Sequence, residues 1–183
     1  YSWNCRLKVK VDRLTVGGLA VNSQPVNSQR STFQNVIAMT LLIFDIDGTL
    51  VYSERRDSRC FAETYQSLFG EAFPSIDWSQ YPHVTDTTIF HTVFEKQFLR
   101  LPEADELQRF QEAYVTLLQE KRRQDPGHSL EVPGARQLME RLRREQHFTL
   151  GVATGGWRRP AHLKLQHVGI STEELPLEGA DGK

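Results

Sequence analysis

The run Leu41-Leu42-Ile43-Phe44, halted at Asp45 and followed by Ile46-Asp47-Gly48-Thr49-Leu50, constrains this chain more than any other segment. Four consecutive apolar residues with no alternation have the length and pattern of a strand buried on both faces of a parallel sheet. The abrupt polar end marks a carboxyl edge, where open α/β sheets hold their ligands. Two carboxylates two residues apart leave that edge on the same side. Crowded anions repel, so a counter-charge has to be supplied, and a hard divalent cation such as Mg²⁺ takes carboxylate and water oxygens. A carboxylate can also be a nucleophile, and a second one beside it can move the proton. Gly48 permits the sharp turn that aims backbone amides at an anion.

The rest of the chain reads as α/β interrupted by helices. Residues 54–69 form a helical pattern, with Phe61, Tyr65, Leu68 and Phe69 at helical spacing. Asp86 can cap a second helix bearing Ile89, Phe90, Val93, Phe94 and Phe98. A third spans 103–123 on the stripe Leu107, Phe110, Tyr114, Leu117 and Leu118. Pro133-Gly134 then opens a helix, Phe148–Ala153 is a strand ending on Thr154-Gly155-Gly156, and residues from about 157 to 167 are helical. A crossover between parallel strands needs little more than one helix. The block of about eighty residues between the two strands is therefore an insert, standing over the carboxyl end of the first strand as a lid would.

Composition narrows the classes. Among 183 residues 39% are apolar, enough for one core domain carrying a smaller insert. Cys5 and Cys60 are the only cysteines, which excludes a disulfide scaffold and points to free thiols in a reducing, cytoplasmic setting. No apolar run reaches the length of a membrane helix. The net charge of −1 divides into +4 over residues 1–38 and −5 over the remainder. A body of that sign is a poor match for nucleic acid and suits a small anionic ligand held by local donors and a cation. Residues 1–38, with the repeat Val21-Asn22-Ser23-Gln24 and Val26-Asn27-Ser28-Gln29, show no sustained period. They read as a disordered leader or non-native extension, with Met39 the expected natural start.

Asp45-Ile46-Asp47-Gly48-Thr49-Leu50 at the end of an apolar strand resembles the first motif of the haloacid dehalogenase superfamily. Val152-Ala153-Thr154-Gly155-Gly156 resembles its second motif, and the helical block occupies that family's usual insertion point for a cap. The resemblance, closest to the phosphoglycolate-phosphatase-like group, implies a Rossmann-like parallel sheet with an inserted α-helical cap. It divides the chain into a core of residues 39–53 and 131–183 and a cap of 54–130. It implies Asp45 as nucleophile and Mg²⁺ ligand. Asp47 becomes the general acid/base and, through its backbone carbonyl, a second Mg²⁺ ligand, with Thr154 and Gly155 as phosphate binders. The family's charge-balancing lysine falls on Lys183, after Gly182. Lys164 is the other candidate, although its helix is expected to run away from the site. The family's fourth motif, a later carboxylate pair, has no counterpart, so the core is expected to be C-terminally truncated, with nothing resembling a closing strand.

The implied activity is Mg²⁺-dependent hydrolysis of a small phosphorylated metabolite through an aspartyl-phosphate. A phosphomutase of the same superfamily and a non-catalytic truncated fragment are the alternatives. Asp47 favours phosphate-ester chemistry over dehalogenation, since dehalogenating members generally lack that aspartate. Substrate identity and oligomeric state are not encoded in any pattern of this sequence. The histidines show no metal-ligand spacing, and Lys121-Arg122-Arg123 reads as a solvated helix end that complements the dipole.

Overall fold

The computed structural model describes residues 9–14, 39–52, 54–128, 130–173 and 175–181. Strand β1 (Val9–Leu14) leads to β2 (Met39–Phe44) and the two-residue β3 (Val51–Tyr52). Helices α1 (Glu54–Phe69), α2 (Asp86–Phe98) and α3 (Ala104–Gln124) follow. The chain then runs through β4 (Leu130–Glu131), α4 (Ala135–Arg144), β5 (Phe148–Ala153), α5 (Arg158–His167) and β6 (Leu177–Glu178).

The main sheet has the order β1-β2-β5-β6. Strands β2, β5 and β6 are parallel, with Phe44 opposite Val152 and Val152 opposite Leu177. This is the expected α/β architecture. Its register puts the carboxyl ends of β2 and β5 side by side, so Asp45 and Thr154 leave the sheet at the same edge. Two details depart from the sequence reading. Val9–Leu14, within the stretch read as a leader, pairs antiparallel with β2 from Val9 opposite Phe44 to Leu14 opposite Met39. Val9 and Val11 give a period of two too short to stand out, and the open edge of β2 supplies the partner. Leu177–Glu178 also pairs where no closing strand was expected, because the edge of β5 offers its backbone groups.

The helical block is fastened at both ends. β3 and β4 pair antiparallel, Val51 with Glu131 and Tyr52 with Leu130, so the chain leaves and re-enters the sheet layer through one two-stranded neck. The helices end where the residue types dictate. Thr85, not Asp86, caps α2: its side chain accepts from the Thr88 N–H, and Asp86 is the first helical residue. The Glu106 carboxylate closes the start of α3 by accepting from the Glu103 N–H at 2.8 Å.

Two apolar clusters result. One joins β2, β5 and α4 to α5 through residues such as Phe44, Ile46, Leu50, Met139, Val152 and Leu165. The other lies among α1, α2 and α3 and is largely aromatic. Its centre is Phe61, whose ring lies 4.8 Å from Phe110 and 5.4 Å from Tyr114. Trp157, from the loop before α5, reaches into this second cluster and stacks on Phe61 at 5.6 Å. Among the described residues no helix is long and apolar enough to cross a membrane.

Candidate active site

The turn after β2 is built by its own backbone. Ile46 O accepts from Thr49, Leu50 and Val51 N–H groups, and Gly48 N–H donates to Val51 O at 2.9 Å. Gly48 sits at φ 74°, a conformation that a side chain would strain. Thr49 and Leu50 are buried beneath this turn, which leaves Asp45 and Asp47 half-buried at its rim. The Asp45 carboxylate is oriented by the Ile46 N–H, at 2.8 Å from Oδ1. Beside it the end of β5 is held by β6, where Thr154 N–H donates to Glu178 O at 3.0 Å. Thr154 Oγ1 accepts from the Gly156 N–H at 3.1 Å, which folds the Thr-Gly-Gly loop back on itself.

These two loops line one end of a cavity of about 330 Å³ that contains Asp45, Asp47, Thr154, Gly155 and Lys164. The structure thus brings together four of the five sequence-derived site residues; Lys183 lies outside the described residues. The opposite wall comes from the helical block, with Asp57, Phe61, Trp78, Asp86 and Tyr114. The two sides approach closely at Gly155, where an added Cβ would lie 2.4 Å from Val84 O.

Lys164 overturns the expectation that its helix leads away. Its Nζ donates to both Asp47 oxygens, at 2.8 and 2.9 Å, and lies 2.9 Å from Asp57 Oδ2. Helix α5 packs its stripe of Ala161, Lys164 and Leu165 inward, so the lysine emerges beneath the Asp47 turn. Burial works against its charge, yet Asp47 and Asp57 more than offset this and hold its pKa above the ordinary lysine value. Asp57 and Arg122 are parts of the site that sequence reasoning missed. Asp57 is 5% exposed and Arg122 6%, and Arg122 Nη2 stands 3.8 Å from Asp57 Oδ1. A usable signal existed. Asp57 lies one turn before Phe61, Arg122 extends the series Phe110, Tyr114 and Leu118, and Lys164 follows Ala161 by three. Each is a charge on an apolar stripe, which requires a buried partner. The reading of Arg122 as a solvated helix end is corrected on the same ground.

Asp86 ties the two sides together. Its N–H donates to Gly155 O at 2.9 Å and its Oδ2 accepts from the Trp157 N–H at 3.0 Å. The Trp157 indole N–H donates to Thr87 Oγ1 at 2.8 Å. Burial, partly countered by Lys164, raises the Asp86 carboxyl to about 6. Asp181 accepts from the Arg158 N–H at 3.0 Å and so serves the start of α5. The Cys60 thiol is buried in the aromatic cluster and pushed up to about 11, mainly by desolvation, as suits an apolar filler.

The Asp45 carboxylate and the Asp47 backbone carbonyl fit a hard divalent cation by donor type, because Mg²⁺ takes oxygen ligands from the protein and fills its shell with water and phosphate oxygens. Among the described residues no group of three or more His, Cys, Asp or Glu stands in metal-binding geometry.

A family model described as haloacid dehalogenase-like hydrolase matches residues 39–179. Among solved structures, a hydrolase from Pseudomonas syringae superposes with TM-score 0.57 at 18% identity, covering 76% of this chain and 60% of that one. A protein from Haemophilus somnus, described as a predicted phosphoglycolate phosphatase, gives TM-score 0.52 at 18% identity over 78% of this chain and 63% of its own. A family IA, variant 3 hydrolase from Entamoeba histolytica gives TM-score 0.52 at 14% identity, with 78% and 62% covered. The chain therefore spans less than two thirds of the length of these structures. No curated protein matches it.

Proposed function

The chain belongs to the haloacid dehalogenase-like hydrolase family, and on that premise we propose that it hydrolyses a small phosphomonoester through an aspartyl-phosphate on Asp45. The observation that carries this reading is the meeting of Asp45, Asp47, Thr154 and Lys164 in one cavity at the carboxyl edge of the sheet. In the proposed first step an Asp45 carboxylate oxygen attacks phosphorus as the ester P–O bond breaks, and the leaving oxygen takes a proton from Asp47, which has gained it from the entering phosphomonoester monoanion. In the second, Asp47 accepts a proton from water, which attacks the aspartyl-phosphate and releases inorganic phosphate with Asp45 restored. Thr154 and the Gly155 amide hold the phosphoryl oxygens. Lys164, donating to both Asp47 oxygens, is shared with the entering phosphate; as it turns toward that oxygen it frees Asp47 to handle the proton. Asp45 and Asp47 would hold Mg²⁺, which when bound neutralises phosphate charge.

Residues 54–130 act in this reading as the cap over the site, and the partner is a small phosphorylated metabolite. The −5 charge of residues 39–183 argues against a polyanionic partner, and the buried free thiol of Cys60 is in keeping with a reducing cytoplasm. The decisive experiment is release of inorganic phosphate from p-nitrophenyl phosphate with and without Mg²⁺, for wild type and Asp45→Asn. Wild type is expected to need the cation, and the variant to fall below about a thousandth of its rate. Equal rates in the two proteins would sink the mechanism. Recovery of the phosphate on another position of a sugar substrate, instead of free, would replace hydrolase by mutase.

A further inference from the structure

The cavity has a charge pattern that bears on what can leave the phosphate. Thr154 and Gly155 mark the phosphate end. Asp86 stands at the seam between that end and the helical wall. An added Cβ on Gly156 would lie 3.5 Å from Asp86 Oδ2, so its carboxylate faces the space next to the phosphate loop. Its position is not adjustable, because its own N–H is bonded to Gly155 O and its Oδ2 to the Trp157 N–H. Asp57 adds a second carboxylate from the same wall. Among the described lining residues the one cation is Lys164, and its ammonium already lies within 2.9 Å of both Asp47 and Asp57. Phe61, Trp78 and Tyr114 supply aromatic faces beside these acids.

Resting on the phosphatase reading, we propose that the leaving group is a small hydrogen-bond donor with no anionic group of its own, selected by Asp86. A hydroxyl or an ammonium finds an acceptor at Asp86 and an aromatic face to pack on. A second carboxylate or phosphate meets a fixed like charge, while Lys164, the one cation among the described lining residues, is held by Asp47 and Asp57 and shared with the transferring phosphate; such juxtaposition is a standard way to reject a competitor. The cavity volume is at the low end for small-ligand clefts, which suits a leaving group of a few carbons. Glycolate, a carboxylate, is the wrong chemistry for this wall.

The test compares kcat/KM for glycerol 3-phosphate, phosphoethanolamine and phosphoglycolate, with p-nitrophenyl phosphate as a leaving group that needs no protein donor or acceptor. The protein is assayed with Mg²⁺ as wild type and as Asp86→Asn, which keeps an oxygen for the Trp157 N–H. Glycerol 3-phosphate or phosphoethanolamine is expected to exceed phosphoglycolate by about tenfold or more. Which of the two leads separates hydroxyl from ammonium recognition. Asp86→Asn is expected to shrink the gap severalfold without lowering Tm. Turnover of p-nitrophenyl phosphate with phosphoglycolate preferred overturns the substrate class and leaves the phosphatase reading standing. No turnover of any substrate removes both. A lowered Tm in Asp86→Asn with the ratio unchanged makes Asp86 a structural tie alone and overturns its assignment. Wild-type selectivity decides the class even if the variant does not fold.

Discussion

Lys164 and Asp86 show how single charges are held here. Lys164 is 6% exposed, and its ammonium is offset by Asp47 and Asp57 together. Removing one partner of a buried pair leaves the other uncompensated, so Lys164→Met is expected to cost about 3–5 kcal/mol in urea unfolding. A loss of a few tenths would mean that the carboxylates are solvated and the pairing is incidental. Asp86 works in the opposite sense. Its carboxyl is raised from the ordinary 3.8 to about 6, chiefly by burial, so the native state holds that proton more tightly than the unfolded chain. Stability from this group is therefore greatest at low pH and falls as pH rises from about 4 through 6, by on the order of 2–3 kcal/mol. Asp86→Asn abolishes the titration, so its Tm is expected to exceed wild type near neutral pH and to converge with it near about pH 4. A constant offset across that range would contradict the assignment.

At the scale of elements, the join between α5 and the helical block matters most. Trp157 is 1% exposed, stacked on Phe61 and edge-on to Phe110 and Tyr114, although it belongs to the loop before α5. Trp157→Ala empties that position and is expected to cost about 3–5 kcal/mol. Trp157→Phe keeps a ring but loses the indole bond to Thr87, at about 1 kcal/mol. Equilibrium unfolding of both variants checks the order; equal losses would mean that the indole hydrogen bond, and not ring packing, accounts for the whole effect. The same loop carries Thr154 and Gly155, so a change in α5 is felt at the phosphate end of the cavity.

Over the whole molecule, the sheet edge and the helical block are separate apolar clusters that meet across a cavity lined by charge. A ligand that neutralises those charges binds only where both sides are assembled. Mg²⁺ with inorganic phosphate is therefore expected to raise Tm, by about 2.7 kcal/mol of stability at a hundredfold excess over Kd. The gain should vanish in Asp45→Asn. A shift of equal size in that variant would place the ligands elsewhere.

What the sequence alone determined was the local grammar. An apolar run cut by Asp45, a glycine turn, a strand ending on Thr154-Gly155 and an intervening helical block are each legible from short-range pattern. From these the parallel sheet and the insert follow, and the family resemblance they carry implies four of the site residues. Pairings that join distant segments were not legible. Leu177–Glu178 is too short to announce itself and becomes a strand only because β5 has a free edge. Trp157, which the sequence places at the start of a helix, is an aromatic anchor, because the helical block presents Phe61 to it. Asp57, Arg122 and Lys164 are separated by tens of residues, and each alone is a charge misplaced on an apolar stripe. Only the tertiary fold, by burying three stripes against one another, turns those misplaced charges into a paired network, since the cost of burying a charge is met by a partner that sequence proximity does not supply.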